Sequence, residues 1–142
     1  MKLDTDKSGL GAVFKGYELA ALEYLFSAEV GAGSGVVWTW INEESDWSKA
    51  GHTISRASVF FFLNRLVDEG LLEWRDATGK GGHHRIYEMK MSRQEFLKKV
   101  IEKFVTALKE IADQENIEYK SSPFFNSLRI STLGTHTAAR AR

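Results

Sequence analysis

Two short stretches of this 142-residue chain hold the residues best suited to chemistry. One is Ser55, Arg56, Ala57 and Ser58, followed by Phe61, Asn64 and Arg65; the other is Lys80, Gly81, Gly82, His83, His84 and Arg85. A guanidinium fork suits phosphate or a guanine edge, and a carboxamide suits adenine. Glycines between cations let backbone and charge come close to a polyanion. These are binding groups. Catalytic groups are harder to find: without Cys there is no thiol nucleophile, thiolate zinc or disulfide framework. His83 and His84 are adjacent, so on a strand they point to opposite faces, and His52 and His136 are distant in sequence. GAGSG at 31–35 lacks the Lys-Ser/Thr pair of a phosphate loop and follows no strand, and there is no HExxH or nucleophile elbow. The expectation is a binding protein and not an enzyme, with no metal and no cofactor.

The elements that must position these groups follow from periodicity. Residues 1–16 carry Gly and mixed charge without a period and read as an N-terminal arm. From Tyr17 to Val30, Leu19, Leu22, Leu25 and Phe26 recur at helical steps. GAGSG breaks that helix, and Ser34 or Gly35 caps a short second one toward Glu44. Ser55 caps a third, with Val59, Phe62, Leu63, Leu66 and Val67 as its apolar stripe and Gly70 as its stop. A helical wheel turns Val59, Leu63 and Leu66 inward and Ala57, Ser58, Phe61, Asn64, Arg65 and Asp68 outward. LLEWRD and RIYEMKM flank ATGKGGHH, which predicts a two-stranded hairpin with a glycine-rich basic tip at 77–84. Ser92 and Glu95 form a capping box for a long helix to about Asn116. A tail, 117–142, follows it.

The predicted class is α+β, mostly α: three helices and a hairpin over 17–91, then a long helix over 92–116. The text ISRASVFFFLNRLVDEGLLEWR with GKGGHHRIYEMKMSRQEF resembles winged helix-turn-helix transcriptional regulators of the MarR, PadR, BlaI/MecI and GbsR kinds, over about 17–112. The most specific pieces are the run from Asn64 to Leu72 and the wing from Gly81-Gly82 to Tyr87. The resemblance implies a recognition helix over 55–69 in the major groove and a wing over 77–85 on the backbone or minor groove of double-stranded DNA. Phe61 departs from the pattern, since relatives commonly carry a polar or basic residue there. Three roles fit it: contact with a thymine methyl, a cover for the hairpin, or a protein-facing ring. Arg65 has a plainer role available, a surface pair with Glu69.

The long helix sets Phe96, Val100, Ile101, Phe104, Leu108 and Ile111 on one face, more than a three-helix core needs. Homodimerisation through that face is the expectation, which the resemblance also implies, with an intramolecular helical cap as the competing use. Lys and Arg total 19 against 19 Asp and Glu, so the net charge is zero, yet residues 54–99 hold nine basic and six acidic groups. No apolar run is long enough for a membrane span or signal peptide, so the expected location is the cytoplasm of a prokaryote, on the nucleoid. Partners are then duplex DNA, a second copy, and room for a small-molecule effector, with no membrane. The competing class is a winged-helix protein-interaction module in a larger assembly, which the neutral charge, Phe61 and the aromatic tail suit.

Overall fold

The order of elements follows from where the apolar residues fall and where the chain must stop being helical. The computed structural model describes residues 1–117 and shows α1 (Gly16–Ser27), α2 (Ser34–Glu43), a single turn α3 (Asp46–Lys49), α4 (Arg56–Asp68), β1 (Glu73–Gly79), β2 (Gly82–Glu88) and α5 (Arg93–Gln114). It is an α+β arrangement, mostly helical, with a two-stranded antiparallel hairpin placed after the first helices. The described residues divide into two units, Met1–Ser92 and a second that begins at Arg93. Among the described residues no helix is long and apolar enough to cross a membrane.

In the first unit the core is built where α1, α2 and α4 meet. Leu22, Leu25, Val37, Ile41, Val59, Phe62, Leu63 and Leu66 are all buried, each worth about 1.5–3 kcal/mol of apolar transfer. The N-terminal arm is more ordered than its composition predicts. A 3-10 turn at Gly9–Ala12 delivers Phe14 into the core, 3% exposed and edge-on to Phe62 at 6.1 Å. An aromatic side chain that large finds burial even where its neighbours carry no period.

α1 starts one residue before the expected Tyr17 and ends earlier, at Ser27, because Ala28 turns extended and the chain runs on to pair with the hairpin. Ala32 and Tyr87 exchange backbone hydrogen bonds of 3.0 and 2.9 Å as an isolated antiparallel bridge. Gly31 makes this approach, at φ +75°, where a Cβ would lie 2.5 Å from the Tyr87 carbonyl oxygen. The bridge also moves the start of α2 forward. Its N-cap is Gly33, not Ser34 or Gly35, since only that residue stays extended between the bridge and the first helical turn.

The polar stretch after α2 is not plain loop. Ser45 caps α3 by accepting from the Ser48 backbone N–H at 3.3 Å. The entry to α4 is held by α2: Asn42 Oδ1 accepts from the Ile54 N–H at 2.9 Å, while Asn42 Nδ2 and Trp38 Nε1 donate to the Ile54 carbonyl at 3.1 and 2.9 Å. Ser55 then caps α4 as expected, accepting from the Ser58 N–H at 3.1 Å. The start of α4 is thus fixed from both sides.

The hairpin runs further than its sequence suggested. Strands pair from Glu73↔Glu88 to Gly79↔Gly82, leaving Lys80 and Gly81 as the two-residue turn, so Ala77, Thr78, His83 and His84 belong to strands and not to a loose tip. Gly81 and Gly82 adopt φ of +102° and +100°, which Cβ-bearing residues resist, and this lets a two-residue turn close the ladder. α5, in the second unit, is one continuous amphipathic helix beginning just after Ser92. Of the tail assigned to 117–142, only Ile117 lies within the described residues.

Candidate nucleic-acid interface

A cleft of about 740 Å³ opens between the hairpin, the first turn of α2 and the start of α4. Arg56, Lys80, His83, His84 and Arg85 all line it, with Gly81 and Gly82 at one end and Gly33, Ser34 and Gly35 at the other. No lining residue is acidic. Arg56, from the first sequence cluster, therefore meets the whole of the second, 24 or more residues further along the chain, on one concave surface.

Arg56 extends across the first turn of α2, where a Cβ on Gly35 would stand 2.8 Å from its Nη2. The glycine is what lets the guanidinium lie there. Arg56 and Lys80 take part in no ion pair among the described residues, so their charge faces the cleft unneutralised. The exposed α2 N–H groups add positive potential on the same side.

Arg85 is held differently. Its guanidinium lies 4.2 Å from the centre of the Trp74 ring, and its Nη1 donates to Asn64 Oδ1 at 2.6 Å. Tyr87 donates its hydroxyl to the same Asn64 oxygen at 3.0 Å, and Asn64 Nδ2 donates to the Phe60 carbonyl at 2.8 Å. The carboxamide that the wheel pointed outward is thus the bolt between α4 and the hairpin. Its hydrogen-bonding capacity is used inside the protein.

Arg65 is engaged as well, though not with Glu69. Its Nη2 donates to Oε2 of Glu18, whose side chain is 3% exposed, and its guanidinium carbon stands 5.3 Å from the Phe62 ring centre. Glu18 Oε1 accepts from the Lys15 backbone N–H at 2.8 Å, capping α1. One buried carboxylate therefore joins the start of α1 to the last turn of α4. On the hairpin, Glu88 binds Lys90 at 2.6 Å and Arg75 at 2.5 Å. The hydrogen bond from Lys90, then that from Arg75, holds the Glu88 carboxyl below the usual carboxylate range, and these two cations are spoken for.

Alongside the exposed charges Arg56, Arg65 and Asp68, α4 leaves two large apolar rings open to solvent. Phe61 is 68% exposed and Phe60 42% exposed, their centroids 5.8 Å apart in an edge-to-face pair. That exposure removes hairpin cover from the three roles considered for Phe61. Ala57 is exposed beside them, Ser58 is half-buried, and Ser55 is occupied in capping. Phe60, absent from the sequence-based selection, lines the cleft with the cations. It falls between Arg56 and Asn64 at steps of four, so the same wheel contained the signal.

His83 and His84 sit on opposite faces of β2, paired with Thr78 and Ala77. Among the described residues no group of three His, Cys, Asp or Glu is placed to hold a metal ion. Trp40 packs against Tyr24 at 5.5 Å and Trp47 stacks on His52 at 4.4 Å, so the tryptophans serve packing. On α5, Phe96 and Val100 are buried in the single chain, Phe104 is half-buried, and Ile101, Leu108 and Ile111 are 41%, 41% and 56% exposed. The face expected for a partner is narrowed to those last four. No protein-family model, no curated protein and no solved structure matches the chain.

Proposed function

We propose that this chain is a winged helix-turn-helix protein that binds double-stranded DNA as a homodimer, and acts as a transcriptional regulator. α4 enters the major groove and the hairpin lies against the adjacent backbone. The observation that carries this reading is the carboxylate-free cleft lined by Arg56, Lys80 and Arg85 beside the first turn of α2. Concave cationic surfaces concentrate phosphate, and their affinity comes from counterion release. The zero net charge of the whole chain does not oppose this, because screening limits an exposed charge to about 10 Å or less and the local excess is what DNA meets.

The dimer in this proposal uses Ile101, Phe104, Leu108 and Ile111, which alternate at three- and four-residue steps along α5, the spacing of a helix–helix seam. Two copies of α4 then read two half-sites. Replacing Arg56 and Lys80 together by Ala tests the interface. On any duplex the slope of log affinity against log salt should fall by about four units, two lost phosphate contacts in each copy of the dimer, with the thermal melt unchanged. An unaltered slope in the folded variant removes the cleft from the interface.

A second reading has its own support. The exposed Phe60–Phe61 pair is the kind of patch that docks on another protein, which keeps an interaction module in a larger assembly as the alternative.

A further inference from the structure

Apart from Arg56 at its first turn and Asp68 near its end, the outward side chains of α4 offer little uncommitted hydrogen-bonding capacity. Asn64 spends its amide on the Phe60 carbonyl and its oxygen on Arg85 and Tyr87. Arg65 is committed to Glu18. Between these two polar side chains and the cap stand Ala57, Phe60 and Phe61. In the major groove, adenine, guanine and cytosine are told apart by donors and acceptors, whereas thymine also offers a C5-methyl group that apolar side chains can cover.

We infer that α4 reads the major groove through pyrimidine C5-methyl groups, with Phe60 and Phe61 as the contacting rings; this rests on the duplex-DNA reading above. The 5.8 Å between ring centres falls between one and two base-pair steps of about 3.4 Å, so the pair matches methyls one to two steps apart. Charge complementarity selects DNA as the occupant over a protein surface. Phe60 shares its cleft with Arg56, Lys80 and Arg85, and an apolar partner pressed onto the rings would bury those cations unpaired. A duplex supplies phosphates at the edge of the same groove that displays the methyls.

The test compares wild type on four short duplexes: alternating A·T, the same with uracil for thymine, alternating G·C, and the same with 5-methylcytosine. Each duplex pair differs only by the methyl. Withdrawing one methyl from water contributes about fourfold in affinity, so A·T should exceed A·U by about fourfold for one methyl covered and about fifteenfold for two. The 5-methylcytosine duplex should exceed G·C by a similar factor. In the double variant Phe60→Ala and Phe61→Ala both ratios should fall to one, while the salt slope set by Arg56 and Lys80 stays. Equal affinities within both pairs, with salt-dependent binding retained, overturn methyl reading and leave duplex binding standing. No binding to these or to random-sequence duplexes at low salt overturns both, and assigns the rings to a protein partner. Ratios that persist without the two rings place the methyl contact elsewhere and overturn the inference as well.

Discussion

Removing Arg65 should destabilise the protein more than it alters any ligand contact. In a DNA-reading helix, an arginine next to the base-facing side chains is the usual suspect for a binding defect. Among the described residues its guanidinium is the only charged partner of Glu18, a carboxylate 3% exposed that also accepts from the Lys15 N–H. Stripping one member from a fully buried pair costs about 3–5 kcal/mol, because the remaining charge is stranded. Arg65 itself is 47% exposed, so water screens part of the interaction and reaches the gap its removal leaves. The expected loss for Arg65→Ala is therefore about 2 kcal/mol, below the range for a dry pair. On a unit of this size that lowers Tm by about 8 °C or more. Urea titrations of wild type, Arg65→Ala, Glu18→Gln and the double variant measure the coupling. The double variant should be less damaged than the two single losses added together, since Gln beside an absent Arg strands no charge. Arg65→Ala with an unchanged melt and a weakened, sequence-dependent affinity for DNA would refute this, and return Arg65 to the groove.

Asn64→Ala should loosen the hairpin by freeing both Arg85 and Tyr87, seen as faster amide exchange in β2, and should weaken binding on all duplexes alike; a loss confined to one preferred sequence would restore Asn64 as a base reader. Leu108→Glu places a carboxylate at a position 41% exposed in the single chain, so folding should persist while the dimer loses at least about 2 kcal/mol per copy and sediments as monomer. Sedimentation of wild type as a monomer at micromolar concentration would dismiss the α5 seam.

The framework was readable from the sequence because its signals are local. Ser55 and Gly70 bracket α4, and the step pattern of Val59, Phe62, Leu63 and Leu66 gives its buried face without help from any other element. The features that went unseen depend on partners far along the chain. Glu18 looks like a solvated helix charge until Arg65, 47 residues on, is brought against it. Gly31 reads as a break until Tyr87 approaches its backbone. Phe14, in an aperiodic arm, gives no hint of the Phe62 ring it meets. The site shows the same division. The sequence shows cations on α4 and the hairpin, but which side chains keep their polar groups uncommitted is decided by tertiary pairing, which engages Asn64 with Arg85 and Tyr87 and Arg65 with Glu18.

Pinning Arg85 between the Trp74 ring and Asn64 has a consequence for how the cleft would work. A free arginine on a hairpin samples many rotamers, and fixing it on a ligand costs about 0.5–1.5 kcal/mol. Here that ordering is done in advance by the stack at 4.2 Å and the hydrogen bond at 2.6 Å. The bonds of Arg85 and Tyr87 to Asn64 tie the hairpin to α4, which helps set the spacing between Lys80 at the turn and Arg56 at the helix start. Arg56 and Lys80, which lack such anchors, supply charge; Arg85, which has them, supplies position. In the proposed complex an arginine already oriented for phosphate would constrain the register of α4, which matters where each methyl contact discriminates by only about fourfold.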